Sequence, residues 1–213
     1  GMRDLMKTIS EDVWAELVES NRSAVRAGWA QPGVFAAAVG PDYRIGEGFF
    51  YIGKSAGPLG SKVGSAYDQK ESSAASVEWM IEKRNNSPFW KFAEKIDHSR
   101  KSVAWSNLCK MDKIGGEKPP SEREACMNAM EQEFDYLRPR VSVFATHQFC
   151  KNDVELLLDR MGFGVKKIGF IDKYSQIYFA KSGQHIITTR HPQGWNLLDR
   201  DRIINLVKSM LSI

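Results

Sequence analysis

Apolar residues along this chain fall into short blocks whose spacing changes, and the changes mark the elements. Val13, Trp14, Leu17, Val18 and Val25 recur at helical spacing behind Thr8 and Ser10, either of which can cap a first helix that Gly28 ends. Residues 31–48, rich in Gly and Pro around a run of Ala, read as connection. Residues 49–52 are a strong strand, and residues 57–64, with three Gly and one Pro, a loop. Residues 72–84 predict a helix. Ser87-Pro88 starts another, with Ser at the cap and Pro at the first helical position, and Phe89, Trp90, Phe92, Ala93 and Ile96 supply its apolar face.

Residues 102–107 predict a second strand, running into Asn107-Leu108-Cys109-Lys110 and then a polar loop with Gly115, Gly116, Pro119 and Pro120. Ser121 and Glu124 make a capping box for a helix to about Leu137, stopped by Arg138-Pro139. Residues 141–145 are a third strand. Asn152 caps a helix over 154–161, with Gly162 as its stop. Residues 165–171 and 176–180 read as strands, the latter paired through Ser182-Gly183 with 185–189. Asp199 caps a last helix that buries Ile203, Ile204, Leu206, Val207 and Met210. Strands alternating with helices predict an α/β fold, a three-layer αβα sandwich around a central, mainly parallel sheet, as one domain over residues 2–213.

Composition narrows this only slightly. A net charge of +4 is compatible with a polyanion partner without requiring one. No apolar run approaches the ~18 residues of a membrane span, so no membrane partner is expected. The start, with Arg3, Asp4 and Lys7, predicts no signal peptide, and Gly1 ahead of Met2 reads as an expression remnant. Cys109, Cys126 and Cys150 form no close pair in sequence and leave an odd one, which argues against a disulfide framework and for a reducing cytoplasm. Three spaced thiols fall short of the four that an iron–sulfur cluster takes. The four histidines show no zinc spacing. Neither metal nor cofactor is expected.

The candidate chemistry sits where strands run into punctuated loops, at the rim where α/β sheets keep their sites. One such stretch is Phe49-Phe50-Tyr51-Ile52-Gly53-Lys54-Ser55-Ala56-Gly57-Pro58-Leu59-Gly60; the other is Ile186-Ile187-Thr188-Thr189-Arg190-His191-Pro192-Gln193-Gly194-Trp195. Gly residues in the first let a ligand approach backbone N–H groups. It has no G-x-G-x-x-G spacing, which argues against dinucleotide binding of that kind. His191, fixed by Pro192, offers a hydrogen-bond donor or acceptor, or is simply solvated. Asn107 presents donor and acceptor together, or caps a local turn. His147, after the third strand, joins the rim or is structural. Three rims carrying Gly-rich backbone, Asn and His form a set suited to a polar, planar ligand.

These stretches carry a resemblance. Gly53-Lys54-Ser55-Ala56-Gly57-Pro58-Leu59-Gly60 resembles the first motif of the uracil-DNA glycosylase superfamily, nearest to the Gly-Met-Asn-Pro-Gly-Pro-Phe-Gly loop of the single-strand-selective monofunctional uracil glycosylases. Trp105-Ser106-Asn107-Leu108-Cys109 is similar to their middle motif, and Arg190-His191-Pro192-Gln193 to their His-Pro-Ser motif. Asn86-Ser87-Pro88-Phe89-Trp90-Lys91 resembles the Asn-Arg-Phe-Trp-Lys run of mismatch-specific members, and Leu137-Arg138-Pro139 matches the step between the second and third motifs. The ordered set covers about residues 45–195.

The resemblance implies a monomeric enzyme that flips a base from single- or double-stranded DNA and cleaves its N-glycosidic bond, without metal or cofactor. His191 would donate to the oxygen on which charge develops. Asn107 would read the pyrimidine edge, and backbone N–H groups near Gly53, Lys54 and Ser55 would hold a carbonyl. Tyr67 falls near the family's stacking aromatic; it stacks on the base or lies on the surface. Trp195 would wedge into the strand, while Arg190, Lys54, Lys62 and Gln193 would meet DNA, the cations at phosphates. Ser55 stands where the family orients water with Asn or Asp, Ala56 replaces a Pro, and Gln193 replaces a Ser. Ser55 carries no charge to favour a cationic sugar. That departure leaves a slower glycosylase, a changed substrate, or a non-catalytic nucleic-acid or nucleobase binder. An unrelated enzyme acting on a small nucleoside is a further alternative.

Overall fold

Ser10 opens the first helix, α1 (Glu11–Arg26): its hydroxyl accepts the Val13 N–H at 3.3 Å, and Gly28, at φ +78°, turns the chain away beyond the end. The structure, a computed structural model, describes residues 7–55, 67–83, 86–112 and 120–212, with the backbone alone for 120, 121 and 147–149. The predicted loop at 57–64 lies outside these residues. The stretch expected to be mere connection contains a short strand, β1 (Ala38–Val39), and Val34, Phe35, Ala36, Ala37 and Ala38 are all buried. Two residues are too few for a period to show, so this strand left no pattern in the sequence.

The chain then runs through β2 (Phe49–Ser55), α2 (Gln69–Ile81), α3 (Pro88–Ile96), β3 (Val103–Cys109) and α4 (Pro120–Leu137). It continues with β4 (Val141–Ala145), α5 (His147–Arg160), β5 (Lys166–Phe170), β6 (Gln176–Phe179), β7 (His185–Thr189), a 3₁₀ turn (Pro192–Gly194) and α6 (Leu197–Leu211). Three caps differ from expectation. Ser121 lies inside α4, and Glu124 accepts from Arg160 at 2.9 Å rather than closing a capping box. Asn152 lies inside α5, which starts directly after β4 and is bent at Cys150 (φ −131°). Asn196, not Asp199, caps α6, accepting the Asp199 N–H at 2.8 Å.

The seven strands form one sheet in the order β1-β3-β2-β4-β7-β6-β5. The central four, β3-β2-β4-β7, are parallel; β1 at one edge and β6 and β5 at the other are antiparallel. Successive residues point to opposite faces. Phe49, Tyr51, Val103, Trp105, Val143 and Ile187 pack with residues of α3 and α6 and with Met80 of α2. Phe50, Ile52, Ala104, Leu108, Phe144 and Ile186 pack under α4 and α5. A sheet covered on both faces explains why β2, β3 and β4 read as mainly apolar runs without strict alternation. The result is the expected three-layer α/β sandwich, with α1 lying beside α4. Among the described residues, no helix is long and apolar enough to cross a membrane.

Candidate functional site

The four parallel strands deliver their carboxyl ends to one rim, which brings together Gly53-Lys54-Ser55, Asn107-Leu108-Cys109, Thr146 and Thr189-Arg190-His191. From β2 the chain leaves towards the face of α2 and α3; from β4 it leaves towards the face of α5. Adjacent strands whose connections depart to opposite faces open a crevice between them, where open α/β sheets bind ligands.

Gly53 and Asn107 are directly paired across β2 and β3. Asn107 is buried, 1% exposed, and its Oδ1 lies 2.6 Å from where a Cβ on Gly53 would stand. Glycine is therefore what admits the carboxamide. The backbone carbonyl of Asn107 accepts from Lys110 Nζ at 2.7 Å, which anchors the strand end, yet the side-chain Nδ2 has no partner among the described residues. An unpaired buried amide donor costs about 1–3 kcal/mol. Such a donor calls for an acceptor from water or from a bound molecule.

Phe89, in the first turn of α3, closes the other side of Gly53, its ring carbons 3.3 Å from the same Cβ position. The ring stacks on Tyr51 at 4.0 Å between centroids, and the Tyr51 hydroxyl donates to the Phe89 carbonyl at 2.8 Å, fixing the start of α3 against β2. Burial raises the Tyr51 pKa well above its ordinary value, so that hydroxyl stays a donor. His191 stacks near Phe89 at 5.9 Å and 26°. Its Nδ1 accepts the Gln193 N–H at 3.1 Å, so the neutral ring carries its proton on Nε2. Burial lowers its pKa, which favours that neutral form. One phenyl ring thus has the carboxamide edge on one side and a neutral imidazole donor on another.

The remaining candidates divide. Ser55 and Lys54 are exposed at the end of β2, Ser55 on the same side of the strand as Gly53. Arg190 lies over the Tyr174 ring at 4.1 Å, and the Gln193 side chain is exposed. Trp195 is held inward: its Nε1 donates to Thr189 Oγ1 at 3.1 Å and its ring meets Phe92 edge-on at 5.0 Å, so it forms the wall of the site rather than a projecting wedge. Tyr67 is half-buried and packs against α1. Its hydroxyl donates to Asn21 at 2.8 Å, its carbonyl accepts from Trp14, and Arg22 covers its ring at 4.9 Å. Lys62 and the His147 side chain lie outside the described residues.

Sequence reasoning had assigned Phe89 to the core, because an aromatic on an amphipathic helix looks the same whether it faces core or cleft. Its place directly after a Ser-Pro helix start, at the rim end of α3, was the available signal. Leu197 and Leu198, 69% and 61% exposed just after Trp195, were also missed. Metal-competent donors among the described residues are Cys109, Glu122 and Cys126, at the junction of β3 and α4. No family model and no curated protein matches the chain.

Proposed function

We propose that the chain is a DNA base-excision protein with a uracil-DNA glycosylase-like fold, a monofunctional hydrolase that cleaves the N-glycosidic bond of uracil or another deaminated base. The observation that carries this reading is the buried Asn107 carboxamide, with Oδ1 and the Phe89 ring both against Gly53 and with Nδ2 unpaired. Uracil offers an acceptor and an N–H donor side by side on its edge. An Asn amide matches both at once, whereas the edge of cytosine presents a different order.

In this mechanism the base leaves the stack and slides edge-first between Asn107 and His191, against Phe89. Breakage of the bond from C1′ to the ring nitrogen leaves negative charge on the base, and the His191 Nε2–H donates to the carbonyl oxygen that receives it. A water adds its oxygen to C1′ and releases its proton to solvent through the Ser55 hydroxyl, which orients the water without supplying charge. Leu197 and Leu198, not Trp195, are the apolar side chains available to fill the gap in the strand.

Release of free base from uracil-, hypoxanthine- and xanthine-containing oligonucleotides, single- and double-stranded, tests the proposal. Wild-type release is expected for uracil. Asn107→Ala and His191→Ala should each lower it by ~10²–10³-fold, the usual effect of deleting one transition-state donor. Ser55→Asn should raise it at least ~10-fold if water orientation limits the rate. Ser55 itself favours a second reading, a non-catalytic member that holds the base. In that case no variant releases base, while binding of uracil-containing single strands still depends on Asn107.

A further inference from the structure

We infer that Cys109, Glu122 and Cys126 form a binding site for one zinc-class divalent cation, joining the end of β3 to the first turns of α4. Glu122 and Cys126 stand four residues apart on one face of α4, and Cys109 is the last residue of β3. All three are buried, and their ligand atoms lie within 4.8 Å of one another. The Cys109 Sγ lies 3.4 Å from Glu122 Oε1.

Two further observations point to a ligand. Glu122 is 1% exposed, and its Oε2 has no hydrogen-bond partner among the described residues. A buried carboxylate oxygen is costly unless a proton or a cation meets it. The Cys126 sulfur accepts the backbone N–H of Lys110 at 3.5 Å, the kind of outer contact that orients a thiolate ligand.

The donor set selects the cation. Thiolates favour zinc-class ions over magnesium or calcium. Tetrahedral zinc with Zn–S bonds of about 2.3 Å places two sulfurs roughly 3.8 Å apart, so donors within 4.8 Å close on the ion by side-chain rotation alone. Binding releases the two thiol protons, including the one Cys109 now directs at the Met111 carbonyl at 3.2 Å. Three protein ligands leave one tetrahedral position for water. The ion would clamp the segment that carries Asn107 and Lys110, and the inference does not depend on the proposed glycosylase activity.

The test uses the full chain, stripped with chelator under reducing conditions and titrated with cobalt(II) chloride. One equivalent should bind with a near-ultraviolet thiolate-to-cobalt band, zinc should displace it, and Tm should rise with zinc. Cys126→Ala should abolish the band, and Glu122→Gln should weaken cobalt binding at least ~10-fold with the fold retained by circular dichroism. Zinc-edge X-ray absorption on the wild-type chain needs no variant and should report two sulfur neighbours. Absence of a thiolate band, a zinc site without sulfur, or a band surviving in Cys126→Ala overturns the inference. So does conversion of the stripped Cys109 and Cys126 to a disulfide with no metal uptake before oxidation.

Discussion

The imidazole of His191 keeps its seat on the turn only while its Nδ1 stays unprotonated, because that atom accepts the Gln193 N–H. Burial holds its pKa below the ordinary 6.5, and the sign of the consequence follows. As pH falls through about 6.5 the unfolded chain takes up a proton before the folded chain does. The stability contributed by the neutral ring is thus present above that value and lost as pH falls through the lower, folded one. Below it, an Nδ1–H would face the Gln193 N–H, two donors opposed, and the turn must open. NMR titration of the histidine should show a midpoint below 6.5 with the proton on Nε2, and base release should decline over the same acidic interval. A midpoint at or above 6.5, or a proton on Nδ1, would sink this assignment. Asn107 stands out in the sequence as a polar residue in a mainly apolar strand, and His191 as one fixed by Pro192 just beyond a strand. Tyr67 was not: its Gly/Ser loop carries no period, and only the fold brings it to Asn21 and Trp14.

The junction of β3 with α4 shows what an element needs beyond its own pattern. The ammonium of Lys110 is wholly buried, 2.6 Å from Glu133 Oε1, and it donates to Ser106 Oγ at 2.6 Å and to the Asn107 carbonyl at 2.7 Å. One cation therefore fixes the end of β3, the middle of α4 and the residue proposed to read the base. Lys110→Met should destabilise by about 3–5 kcal/mol, the usual result of leaving one buried charge unpaired, or ~6–20 °C in Tm for a chain of this size. The double change Lys110→Met with Glu133→Leu should recover most of that loss in thermal unfolding. Equal loss in single and double variants would show that the bonds to Ser106 and Asn107, not the charge, hold the junction. None of this was visible in the sequence, where Lys110 merely follows a strand and Glu133 sits in a helix of ordinary polarity. Strands β2, β3 and β4 are visible because burial on both faces favours mainly apolar runs, whereas partners and caps depend on which elements meet.

Across the whole molecule, the net charge of +4 is modest, but part of it is placed beside the rim. The turn between β5 and β6 carries Lys173 and Tyr174 next to Arg190, and β5 exposes Lys167 over Phe170 at 3.8 Å, with Phe170 63% exposed. Lysines on an edge strand also deter pairing with another sheet edge, so charge alone does not separate protection from binding. Aromatic faces do, since bases stack on them whatever the sequence and an edge guard has no use for them. Residues 165–171 predict a strand, but which side chains remain uncovered depends on β5 being outermost, which only the strand order reveals. If this ribbon carries the flanking strand, Phe170→Ala and Tyr174→Ala should each weaken single-stranded oligonucleotide binding by about 1–3 kcal/mol. Lys167→Ala and Lys173→Ala should each reduce the slope of log K against log salt by roughly 0.7. Fluorescence anisotropy across a salt series reads both. Unchanged affinity in the aromatic variants with intact base release would confine DNA contact to the rim, and leave the ribbon as a guarded sheet edge.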